Sequence, residues 1–401
     1  MTNKELMERA AITTAQIATA GKLNPQQSRK FIDYVYDLSV LKTLVRLERF
    51  TPDSLEIDKI GVGNRVAVPK AEATDPMVRR MLSTSKVVLR PVDIMVPFEI
   101  GDRFRRFNLE GEDVEDTVIR MMADSLANNL DELWLGGLTA GIARLENDIF
   151  DDGSTTQYVL DSYLKLFNGF LKLAESGHVV DAANTAISAA IFNKALMAMP
   201  VKFKRARNML KYMLSPDHEQ DYREAVSGRT TPLGDNALQS ENNLTPFGIE
   251  LMPIALLERN PLYAEDSTAN SDGTSATALQ HKPISDLSLV PTTIGQQPIN
   301  AYTEGAGNDY TENLTDGEWT RLGGSSITAG QVVRASYRTG GKMLLTNPKN
   351  LILGIGMDVK IERDRNIFKG VNEYAITVSV ACEIENTDAV VLVKNLKDPT
   401  V

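Results

Sequence analysis

An α+β fold is predicted by three features of the 401-residue sequence. One long amphipathic helix, Glu112 to Trp134, dominates the first half. Two strong strands, Tyr374 to Ile384 and Ala389 to Val393, lie near the carboxyl end. Between them, Glu258 to Lys342 is rich in Ser, Thr, Gly, Asn and Asp, with lysine only at Lys282 and Lys342. Helices and strands in separate stretches suit that class.

In chain order, Asn24-Pro25 is a good helix start, with proline at the first helical position. Phe31, Ile32, Val35, Tyr36 and Leu38 follow at helical spacing. Ser39 to Phe50 alternates more like a strand, so a short helix leads into an extended arm with little core of its own. Two strand-like runs, about Arg65 to Pro69 and Ser85 to Pro97, flank the charged stretch Lys70 to Arg80 and predict a long hairpin. An isolated ribbon is marginal in water, so this one must pack on something else, and in a self-assembling protein that can be a neighbouring subunit.

In the long helix, Val114, Val118, Met121, Met122, Leu126, Leu130 and Leu133 keep a three-to-four spacing. Acids Glu112, Asp113, Glu115 and Asp116 crowd its first turns, where the helix dipole favours negative charge, and Gly136-Gly137 ends it. A second helix is expected from an Asp161 or Ser162 cap to Gly177, and a third from Thr185 to Met199, stopped by Pro200. Asn208 to Ser215 reads as a strand, Pro216 to Ser227 as a polar helix, and Thr245 to Ile254 as a turn into a strand. Glu258 to Lys342 then reads as an inserted β-rich surface domain or a set of long loops, with Val333, Ala335 and Tyr337 alternating against Arg334, Ser336 and Arg338.

Composition narrows the function classes. Asp and Glu (53) exceed Lys and Arg (43), a formal charge of -10, which argues against a chain that grips nucleic acid electrostatically. The lone Cys382 excludes an intrachain disulfide and suits a reducing cytosol. Neither a signal peptide nor a run of roughly 18 apolar residues is expected, so no membrane partner is. Three histidines, His178, His218 and His281, show no metal-ligand spacing, and no metal site is expected. Phosphate-loop, dinucleotide and nucleophile-elbow patterns are absent, so neither a cofactor nor catalytic residues are expected. The acidic run Glu146 to Asp152 could pair carboxylates, but its spacing is not that of a calcium loop. Lys202, Lys204, Arg205, Arg207 and Lys211 form the densest positive patch. It could meet phosphates, but the interleaved Val201, Phe203 and Met209 fit a partly packed segment as well, and that reading is favoured.

Several stretches, in order, resemble the major capsid proteins of tailed bacteriophages, the Hong Kong 97 fold family. Leu23 to Phe50 resembles their amino-terminal arm, Ile60 to Val68 the start of their extended loop, and Glu112 to Gly136 their spine helix. Met199 to Ile254 (MPVKFKRARNMLKYMLSP, YREAVSGRTTPLGD, TPFGIELMPI) is the most specific match, and Leu344 to Arg365 resembles the return that follows. Together these cover around half the chain.

The resemblance implies an arm (1–55), an extended hairpin loop (56–98), a peripheral domain (99–177 and 346–401), an axial domain (178–257), and a β-rich insertion with the return of the axial domain (258–345). It also implies a structural subunit, not an enzyme, that forms hexamers and pentamers of an icosahedral head around double-stranded DNA touched weakly and non-specifically. Such a subunit is assembled in the host cytoplasm and ends in the virion. A scaffolding protein, a portal and a decoration protein are the implied partners. The long amino-terminal scaffolding segment of some relatives is not seen, which implies a separate scaffold or prior cleavage.

Two inter-subunit contacts follow as expectations. Arg79, Arg80, Lys86 and Arg90 of the hairpin would face Glu112, Asp113, Glu115 and Asp116 of a neighbour. Arg363, Asp364, Arg365 and Lys369, read as a loop before the last strands, would meet at threefold junctions. A nanocompartment shell of the same fold and, in a different class, a soluble α+β enzyme using carboxylates are the alternatives.

Overall fold

A computed structural model describes residues 11–12, 41, 45–49, 55–61, 83–107, 114–139, 143–145, 158–228, 244–270, 275–291, 302–305 and 308–397. The chain forms two compact units: residues 1–129 with 351–385, and residues 130–350 with 386–401. The division between the units falls within the long helix, Val114–Gly136.

The first unit is built on a five-stranded sheet in the order Ala11–Ile12, Val92–Gly101, Val371–Ile384, Leu351–Asn366 and Arg46–Arg49. Its centre is an antiparallel hairpin, Leu351–Asn366 with Val371–Ile384. Along the latter strand Tyr374, Ile376, Val378 and Val380 are buried at every second position, as a half-buried strand requires. Both described pieces of the arm sit at the edges of this sheet: Ala11–Ile12 runs parallel to Glu99–Ile100, and Arg46–Arg49 parallel to Ile352–Ile355. The expectation of an arm without local cover is corrected to that extent, because the sheet's open edges offer main-chain hydrogen bonds within the same chain.

A hairpin does form, but its partners differ from those expected. Leu55–Gly61 pairs with Ser83–Leu89, while the continuation, Val92–Gly101, leaves it for the five-stranded sheet. Pro91, which has no N–H to give a ladder, stands at the break. Residues 65–69 lie outside the described residues. Buried Leu89, with half-buried Ile57, packs on Ile352 and Ala381, fixing the hairpin's base.

The second unit has a mixed sheet in the order Glu250–Pro253, Lys211–Leu214, Gly341–Thr346, Val391–Leu396 and His178–Thr185. Helix Ala189–Ala198 buries Ile191, Phe192, Ala195 and Leu196 against it, and helix Pro216–Ser227 adds Tyr222 and Val226. Phe192 meets the rings of Tyr212 and Tyr222 edge-on at 4.8 and 4.9 Å. The expected helix Thr185 to Met199 thus begins four residues late, since Ala183 and Asn184, at φ 51° and 54°, bend the end of a strand instead. The expected helix from Asp161 shrinks to Phe170–Ala174. Asp161 does cap, accepting the N–H groups of Tyr163 and Leu164 at 2.8 and 3.3 Å, but turns follow it.

The Ser/Thr/Gly-rich stretch is a folded domain and not a set of loops. Strands Leu262–Thr268, Val332–Thr339 and Ile284–Pro291 form one antiparallel sheet, and Thr277–Ala278, Glu318–Arg321 and Tyr310–Asn313 another. They enclose a core of their own that includes Leu289, Tyr310, Trp319, Val333 and Tyr337. Trp319 Nε1 donates to Ser267 Oγ at 3.0 Å, so its one polar atom is satisfied inside that core.

Candidate assembly surfaces

The far end of the long hairpin in the first unit concentrates the charges expected at a junction. Arg363, Asp364 and Arg365 belong to the strand Leu351–Asn366, not to a loop, and only Lys369 lies in the turn. That correction has a simple cause: this half of the ribbon is exposed, so main-chain ladder bonds hold it without an apolar face for the sequence to display. Gly370, at φ 66°, closes the turn in a conformation that favours glycine, and its carbonyl accepts the N–H of Asp102 at 3.0 Å.

The side chains brace this end. Arg365 Nη2 pairs with Asp102 Oδ2 at 3.0 Å, and Lys369 Nζ with Glu99 at 3.2 Å and Glu373 at 3.8 Å. Arg363 lies 5.6 Å from the centre of the Tyr374 ring, which stacks on Phe98 at 5.1 Å. Between these charges Ile367 is 79% exposed and Phe368 completely so. The sequence reading missed both, although an apolar pair beside a glycine in a charged turn was a visible signal. A braced tip that presents an uncovered phenylalanine can act by contact with another surface.

The other expected group is only partly in view. Arg79, Arg80, Glu112 and Asp113 lie outside the described residues. Glu115 and Asp116 fall in the first turn of Val114–Gly136. Lys86 is bound within its own hairpin, Nζ to Glu56 Oε2 at 2.5 Å, and that hydrogen bond, with the charges of Glu56 and Asp58, raises its pKa. Arg90 is exposed at the break before Val92.

Chemistry-bearing groups of the second unit meet at a cleft of about 520 Å³, lined among others by Glu132, Lys172, Tyr263, His281, Arg338 and Lys342. Several of its polar groups are already engaged. His281 Nδ1 lies 2.9 Å from Tyr337 Oη, which donates to Glu265 at 3.0 Å, while Lys342 donates to Tyr263 at 3.0 Å. Burial, with the charge of Lys342, lowers the His281 pKa to about 4. Outside this cleft, in the first unit, burial and the nearby Glu383 push the Cys382 thiol pKa up. Among the described residues no cluster of His, Cys, Asp and Glu could hold a metal, and no helix is long and apolar enough to cross a membrane.

No family model matches the chain. Among curated proteins it is similar to the Bacillus subtilis (strain 168) protein named "Putative prophage capsid protein YqbE", 24% identical over 99% of this chain and 100% of the relative. Among solved structures it is similar to a chain of the capsid of a native GTA particle, with a TM-score of 0.51 and 10% identity over 96% of this chain and 99% of that one. A chain of the satellite phage P4 procapsid, a structure that includes a size determination protein, matches with a TM-score of 0.50 and 10% identity over 99% and 98%. Across almost its whole length, this chain has the fold found in those two shells.

Proposed function

We propose, from the premise that this chain has the phage-capsid fold, that it is a major capsid protein, a structural subunit that assembles into hexamers and pentamers of an icosahedral head. The observation that carries the reading is the end-to-end match: 99% of the chain aligns with all of a relative named as a prophage capsid protein. In this reading it is a component of the virion, not a catalyst, and its negative balance lets it line double-stranded DNA without holding it. The finer division into arm, extended loop, peripheral domain, axial domain and insertion is part of the same proposal. So are a scaffolding protein, a portal and a decoration protein as partners.

The braced tip supports a placement for the junction residues. Arg363, Asp364, Arg365 and Lys369 surround Ile367 and Phe368, and three such tips meeting at a threefold junction would cover one another's apolar side chains. Exposed ion pairs contribute about 0 to 1 kcal/mol each, so the charges set register while the apolar pair supplies adhesion. The hairpin residues Arg79, Arg80, Lys86 and Arg90 are proposed to face Glu112, Asp113, Glu115 and Asp116 of a neighbour, with Lys86 first giving up Glu56.

Size-exclusion chromatography and negative-stain microscopy of the purified chain test the reading. Pentamers, hexamers or megadalton shells are expected. A stable 44 kDa monomer with enzymatic turnover would overturn it, and shells filled with an enzyme instead of DNA would point to a nanocompartment.

A further inference from the structure

We infer that the surface at the end of helix Ala189–Ala198 and the following short helix Val201–Lys204 docks an acidic amphipathic helix of a partner protein. This goes beyond the capsid reading and does not rest on it. From Ala182 to Pro216 the sequence has six Lys or Arg and no Asp or Glu, in a chain whose acids outnumber its bases by ten. The structure shows what that bias surrounds. Helix Ala189–Ala198 buries Ile191, Phe192, Ala195 and Leu196, and Phe203 packs on the same core. Met197, Val201 and Met209 are left 71%, 80% and 57% exposed.

Cations stand beside these apolar side chains. Lys204 Nζ donates to the Met197 carbonyl at 3.2 Å, placing its charge at the helix end where Met197 emerges. Lys202 lies 4.7 Å from the Phe203 ring centre and pairs with Asp388 at 3.3 Å. Lys194, Arg205 and Arg207 have no carboxylate partner among the described residues, and all three are exposed.

Charge complementarity and the apolar residues together select the occupant. A nucleic acid would satisfy the cations through its phosphates but leave Met197, Val201 and Met209 facing water. A helix with carboxylates on one face and apolar side chains on the other covers both sets, and methionines adapt to an irregular apolar partner. Opposite charge steers the encounter, and apolar burial holds the complex in salt.

The test uses the full-length chain and three labelled probes read by fluorescence anisotropy. These are a synthetic amphipathic helix of Glu and Leu, a scrambled peptide of the same composition, and a short DNA duplex. Saturable binding of the amphipathic helix is expected, tighter than that of the scramble or the duplex. Met197→Ser with Val201→Ser, and separately Arg205→Glu with Arg207→Glu, should each weaken it by about tenfold. These side chains are exposed, so circular dichroism melts should match the unaltered chain. DNA or scramble binding as tightly, with no effect of the serine pair, would show a simple polyanion surface and overturn the inference. Absence of binding to any probe would overturn it too. So would a change of oligomeric state as the only effect of the serine pair, which would mean that a second copy covers this face. Shell formation by the same variants reports on the capsid proposal separately.

Discussion

Gly341 lies directly against the imidazole of His218, so a Cβ at position 341 would overlap its Nε2 and sit 2.7 Å from the Arg259 carbonyl oxygen. His218 is fully buried on helix Pro216–Ser227, with Nδ1 3.6 Å from Asp221, and Asp221 pairs with Arg259 at 3.1 Å. One missing side chain on the central sheet therefore makes room for a buried histidine beside an ion pair. Gly341→Ala should cost about 1 to 3 kcal/mol, the usual range for overpacking, and thermal melts should show it. An unchanged melting temperature would mean that the ring moves aside freely.

The insertion has a core of its own, and Trp319 is at its centre, 1% exposed and edge-on to Tyr310 at 6.4 Å. Trp319→Ala should destabilise it by about 3 to 5 kcal/mol through the cavity left behind. The chain has two tryptophans, so the remaining fluorescence, from Trp134, should then report the rest of the second unit. Retained β-signal and an unaltered melt would contradict a tryptophan-centred core.

Acid should loosen the same region through His281. Its folded pKa, about 4, lies below its ordinary value of 6.5, because burial and Lys342 disfavour the charged ring. Above pH 6.5 neither folded nor unfolded chain binds this proton, and the contribution is fully present. As pH falls from 6.5 towards 4, only the unfolded chain takes it up. Stability is lost across that window, by at most about 3 kcal/mol, and the loss levels off below about pH 4. His281→Gln should flatten this part of a denaturation-against-pH profile.

Phe368 and Arg365 should separate assembly from folding. Phe368 is fully exposed, so Phe368→Ser should change stability by less than about 1 kcal/mol; Arg365 is more than half exposed, but its partner Asp102 is largely buried, so Arg365→Glu should cost about 1 kcal/mol. Shell yield, measured by sedimentation, should fall for both. Normal yield would place the hairpin tip away from any junction.

Where periodicity or a breaker marked an element, the residues could be read directly. Helix Pro216–Ser227 carries Ser215 as its cap, and burial alternates from Asn372 to Val378 where one face of that strand is covered, before Val378 to Ala381 are buried in succession. The candidate sites were less legible. Arg365 and Asp102 are far apart in sequence, and no local pattern records that a chain reversal brings them to 3.0 Å. The hairpin partner of Ser83–Leu89 was misassigned for the same reason, since a strand's own alternation does not name its neighbour.

By itself, then, the sequence determined the helices and strands that carry a clear period or breaker, the acidic balance and its one basic exception around Lys202 to Lys211, and the resemblance to capsid subunits, because all of these are local or additive properties of residues. Only the tertiary structure decided that the Ser/Thr/Gly-rich stretch encloses a core around Trp319, that Gly341 makes room for His218, and that Phe368 is left uncovered at a braced tip. Burial depends on which distant segments meet, and short-range pattern does not encode that.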